Sequence, residues 1–165
     1  MLKAAAPRRI AMRIATGVVV VAVLGGCSFV PWGGATAKAE KSTIENIEGV
    51  KSAFVYKLDA GTNAVIVTVA PGYRVGDATQ ALNWILETVW AINDYKPIDV
   101  IVNFDADGKP MDWDWQSAAS QLGVPVPAPL DSFGILRFSA SDLAKKYGPW
   151  PGTVPETPTN LFVKN

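Results

Sequence analysis

The feature that most limits what this chain can build is a charge-free, largely apolar run from Ile14 to Leu24. It is preceded by Lys3, Arg8, Arg9 and Arg13 and followed by Gly25-Gly26-Cys27. A membrane-spanning helix needs about 20 apolar residues, whereas this run has 11. A basic start, a short apolar centre and small residues at its end form the pattern of a cleaved secretory signal peptide rather than of a folded element. Taking residues 1–26 from a chain of 165 leaves 139 for folding. That suffices for one domain with its own core and is too short for two comfortable ones.

The same boundary divides the charge. Four of the 15 basic side chains lie in residues 1–26, with no acid beside them; the remainder keeps 11 basic against 15 acidic groups, a net of −4. The basic stretch therefore reads as a targeting feature, and an acidic mature chain argues against nucleic acid as a partner. The chain has no histidine, which removes the commonest general base, the Ser-His and Cys-His nucleophile pairs and any imidazole metal site. A single cysteine excludes an internal disulfide, a CxxC redox pair and a thiolate zinc site. With 49% hydrophobic and 18% charged residues, the composition is that of a globular domain rather than a disordered chain.

Leu24-Gly25-Gly26-Cys27 resembles the lipobox of bacterial lipoproteins, with an aliphatic residue at −3, small residues at −2 and −1 and Cys at +1. The resemblance implies cleavage between Gly26 and Cys27 and a thioether-linked diacylglycerol on Cys27. It further implies anchoring at the extracytoplasmic face of the cell membrane. Two acyl chains hold stably where one is marginal. The alternative is an ordinary thiol beside an ordinary cleavage site. Arg8-Arg9 invites a twin-arginine reading, but its flanking residues fit Sec export better. Residues 27–41, with Pro31, Gly33 and Gly34, read as the lipidated Cys and a flexible tether, and Phe29, Val30 and Trp32 could dip into the membrane interface.

The folded domain is expected over 42–122. Ser42 and Glu45 have capping-box spacing, predicting a short helix at 43–48 that Gly49 ends. Phe54, Tyr56 and Leu58 alternate with Val55 and Lys57 as one strand. Asp59-Ala60-Gly61-Thr62 turns the chain, and Val65, Val67 and Val69 mark a second strand. Asp77 caps the longest helix, to about Asn93, with Ala78, Leu82, Ile85, Val89 and Ile92 as its apolar stripe and Trp90 on the opposite side with Asn83 and Glu87. Ile98, Val100, Val102 and Phe104 give a third strand, Asp107-Gly108 a hairpin turn, and Met111, Trp113 and Trp115 a fourth strand, before a short helix at 116–122.

The order α-β-β-α-β-β predicts an α+β two-layer sandwich, an antiparallel sheet with helices on one face. Ile44-Glu45-Asn46-Ile47-Glu48-Gly49-Val50, leading into two strands and a helix, is similar to ferredoxin-like and BON-type modules at the level of topology. Pro125, Pro127 and Pro129 make 123–130 a stiff linker. Residues 131–165 then supply a strand over Phe133–Phe138, a helix capped by Ser141 through Tyr147, and a Pro-rich tail, together packing back on the domain. The Tyr147-Gly148-Pro149-Trp150-Pro151-Gly152 ending resembles uncharacterised lipoproteins of actinobacteria, a likeness that implies no known activity.

Three constellations carry candidate chemistry. Asn103, Asp105, Asp107, Gly108 and Asp114 nearly fit a calcium loop, at positions 1, 3, 5, 6 and 12. Asn at the first position, the shorter Asp at the last, and Pro110 within the loop depart from that pattern, and a polar hairpin tip explains the same residues. Asp112 and Asp114, two apart on one strand, would form a carboxylate pair for a weak hydrolase, or simply a solvated face. Trp90 is either an open binding platform or a ring covered by the C-terminal segment. The expectation is a non-enzymatic lipoprotein domain that meets membrane lipid through Cys27 and a protein or cell-envelope partner beyond it.

Overall fold

The computed structural model describes residues 34–58, 61–125 and 134–165, all within one unit, Pro31–Asn165. The expected cleavage at Gly26-Cys27, the lipid on Cys27 and the interfacial Phe29, Val30 and Trp32 lie outside the described residues, as do Asp59-Ala60 and residues 126–133.

The first helix starts earlier than its capping-box signal. α1 spans Ala37–Glu45, and Thr36 is its cap, accepting the Ala39 N–H on its hydroxyl. The tether predicted to reach Lys41 is thus helical from Ala37. Ser42 and Glu45 sit inside the helix, where the Glu45 carboxylate pairs with Lys41 and accepts the Ala53 N–H instead of closing a capping box. Ile44 carries the buried face.

β1 (Val50–Leu58) and β2 (Thr62–Val69) form the expected antiparallel hairpin. A three-residue strand, β3 (Tyr73–Val75), leads to α2 (Ala78–Ala91), capped by Asp77 through the Gln80 N–H at 2.7 Å. α2 returns the chain so that β4 (Asp99–Ala106) runs parallel to β2. The α+β class is as expected, but the sheet is mixed, because a helical crossover delivers the next strand in the same direction. β5 is only Lys109–Pro110, and β6 (Leu136–Ser139) pairs antiparallel with the first half of β4.

The strand expected through Met111, Trp113 and Trp115 does not form. Residues 111–114 are irregular, and Asp114 caps α3 (Trp115–Leu122) by accepting the Ser117 N–H at 3.0 Å. The apolar–acidic alternation that imitates a strand comes instead from a cap residue and from Trp113, whose ring stands edge-on to Phe104 at 5.0 Å. α4 (Ala140–Tyr147) is capped by Ser139 rather than Ser141. The tail ends in β7 (Phe162–Lys164), which pairs with β3 in a second, two-stranded sheet.

The core lies between α2 and one sheet face, formed by Val65, Val67, Val100, Val102, Phe104, Leu136 and Phe138 with Leu82, Ile85 and Val89 of the helix. α2 is buried nearly all round, with Trp84, Leu86 and Trp90 as inaccessible as the sheet-facing stripe. A helix apolar on every side needs cover on every side, and α3 and α4 supply it from the face away from the sheet.

Candidate functional site

Trp90 is 2% exposed. Its indole N–H donates to the Gly148 carbonyl at 3.2 Å, and its own carbonyl accepts the Gly152 N–H at 3.1 Å. Trp150 donates its indole N–H to the Ile92 carbonyl at 3.0 Å, and the Tyr147 hydroxyl bonds Asn83. Burial and the nearby Glu87 carboxylate push the Tyr147 phenol well above its usual range. The segment 147–152 is thus the covering layer of α2, and Trp90 offers no open ring to a ligand.

The acidic residues of 103–114 are separated by the hairpin. Asn103 and Asp105 lie in β4, with Asn103 buried. Asp107 occupies the turn at φ 52°, followed by Gly108 at φ 75°. Both positive angles suit a two-residue hairpin turn, which explains the Asp-Gly pair. Asp107 pairs with Lys51 at 2.8 Å; this ammonium holds its carboxyl below the usual range, and Asp107 in return raises Lys51. Asp105 turns one carboxylate oxygen inward without a hydrogen-bond partner among the described residues. Asp114 is occupied as a helix cap. No three carboxylate, thiol or imidazole groups converge on a common point among the described residues. Asp112 and Asp114 line a shallow depression with Trp113, Trp115 and Gln116, on irregular chain and a cap rather than on one strand face.

The feature sequence reading missed is the other face of the sheet. Register places Phe54 beside Ile66 and Asn103, Tyr56 beside Ala64 and Ile101, and Leu58 beside Thr62 and Asp99. The helices lie on the opposite side. Phe54 is 56% exposed, Tyr56 37% and Leu58 38%, a continuous stripe along the edge strand. At the same end of the sheet Ile98 is 67% exposed against Gly61, on the side of Val100 rather than of Leu58. Strict alternation in β1 signalled a strand with one wet face; it could not reveal that the larger apolar side chains occupy that face while Ala53 and Val55 point to the core.

This end of the sheet is also where the described chain begins. Ala35 donates its N–H to the Ala91 carbonyl and accepts from Asn93, and Asp94 accepts the Ala37 N–H. A Cβ at Gly34 would approach the Ala91 carbonyl to 2.3 Å, so only glycine fits there. From Asn93 the chain passes Tyr95, whose ring lies under the Lys57 ammonium at 4.7 Å, and reaches Ile98. The Ile98 N–H then bonds the Gly61 carbonyl at 2.6 Å. Comparison with family models, curated proteins and solved structures returns no match.

Proposed function

We propose that this chain is a lipid-anchored extracytoplasmic lipoprotein, cleaved before Cys27, whose α+β domain serves as a non-enzymatic binding or structural module. The observation that carries the reading is Leu24-Gly25-Gly26-Cys27 at the end of an 11-residue apolar run, with the only cysteine of the chain at the acceptor position. The first described helix starts at Ala37, so little chain intervenes between anchor and fold. The non-enzymatic part rests on the absence of histidine from the sequence and on the separate structural occupations of Asp107 and Asp114. Fractionation tests the anchor. The parent protein partitions with membranes, and Cys27→Ser leaves it soluble or uncleaved. A Cys27→Ser chain that is cleaved normally and remains in the membrane fraction contradicts the proposal.

A further inference from the structure

The exposed stripe needs an occupant. Phe54, Tyr56 and Leu58 form one apolar stripe on the sheet face turned away from the helices, and such surfaces on soluble domains usually mark a contact. Its position selects the occupant. The stripe runs to the end of the sheet where Leu58 stands, and the described chain enters at that same end, through Gly34 against Ala91 and Asn93. Gly34 lies seven positions after Cys27. Fully extended at ~3.3–3.6 Å each, they reach at most about 25 Å. A lipid on Cys27 therefore keeps this end of the domain within about that distance of the bilayer.

We propose that the Phe54–Tyr56–Leu58 stripe, led by Leu58, rests in the interfacial layer of the membrane that holds the Cys27 lipid. The inference depends on the lipid-anchor reading. Its chemistry suits an interface: aromatic and aliphatic side chains enter the boundary layer, and Lys96, exposed near this end, remains in the headgroup region. A contact of this size would be weak for a free domain. The anchor makes it intramolecular, so that a high effective concentration replaces intrinsic affinity. The bilayer thereby fixes the orientation of the domain and presents the 107–109 hairpin end outward.

The test uses the full mature lipidated chain in vesicles of phosphatidylglycerol and phosphatidylcholine. Tyr56→Cys, Leu58→Cys and Lys109→Cys each carry an environment-sensitive fluorophore; Cys27, as a thioether, takes no label. Flotation with the vesicles reports the anchor separately. The proposal expects nitroxide-bearing lipids to quench the labels at 56 and 58 and to leave the label at 109 bright, with aqueous iodide showing the reverse. Protein that floats, yet shows equal iodide quenching at all three sites, overturns the membrane contact while leaving the anchor intact. Protein that fails to float and labels at Cys27 overturns both. Protection at 56 and 58 that grows with protein density, without lipid quenching, assigns the stripe to a second copy and overturns the proposal.

Discussion

Trp90 and Gly152 are joined twice: the Gly152 N–H bonds the Trp90 carbonyl at 3.1 Å, and a Cβ at Gly152 would lie 2.8 Å from the Trp90 ring. The C-terminal segment is thus seated on α2 by backbone and ring together. Gly152→Ala must push the ring or the tail aside, and overpacking of this kind costs ~1–3 kcal/mol. Urea unfolding should show that loss, and Trp90→Leu should relieve part of it in the double variant.

Trp90 itself is buried and hydrogen-bonded to Gly148. Truncation to Ala removes the ring and leaves a cavity under the tail, at a cost of roughly 3–5 kcal/mol. Trp90→Phe keeps most of the ring and loses the bond to Gly148, costing about 1 kcal/mol beyond the packing change. Denaturation midpoints of the two variants measure both effects.

Glu40 lies in the first turn of α1 at 3% exposure, and burial raises its carboxyl above the usual glutamate range. An acid with a raised folded pKa favours the folded state fully below its unfolded pKa, and that contribution is lost as pH rises through the folded value. Glu40→Gln stays neutral throughout. The variant should melt higher than the parent at about pH 7, with the difference shrinking as pH falls through the carboxylate range. Thermal scans across that range check the sign.

The 103–114 loop should leave calcium unbound. Asp107 is paired with Lys51 and Asp114 caps α3, so the ligand set would have to be dismantled before it could close on an ion. The melting temperature is expected to stay constant at millimolar calcium. A bound ion at a hundredfold excess over Kd would add about 2.7 kcal/mol, which a melting curve resolves readily. At the turn itself, Asp107 holds φ 52°. Asp107→Asn should be nearly neutral and Asp107→Ala should cost about 1 kcal/mol, since a left-handed conformation penalises most side chains.

The periodic elements were legible in the residues. Val65, Val67 and Val69 alternate in β2, the stripe from Ala78 to Ile92 follows α2, and Asp77 caps it as its spacing predicts. The covering of Trp90 was legible too, because an apolar face opposite the sheet-facing stripe needs a partner. The failures share a cause: short-range patterns with two solutions. Asp112-Trp113-Asp114-Trp115 alternates like a strand, yet Asp114 starts a helix. Ser42 and Glu45 match a capping box, yet Thr36 caps the helix one turn and more upstream. β3 and β7 have three residues each, too few to show a period, and are defined only by meeting one another. The direction of β4 and the uncovered stripe on β1 are properties of the assembled sheet, set by which elements pack on which face.

Mass spectrometry of the protein extracted from membranes tests the central claim most directly. The account predicts a mature chain beginning at Cys27, with a diacylglyceryl adduct on that residue and no trace of residues 1–26. A mature N-terminus at another position, or a free Cys27 thiol on membrane-associated protein, would contradict it.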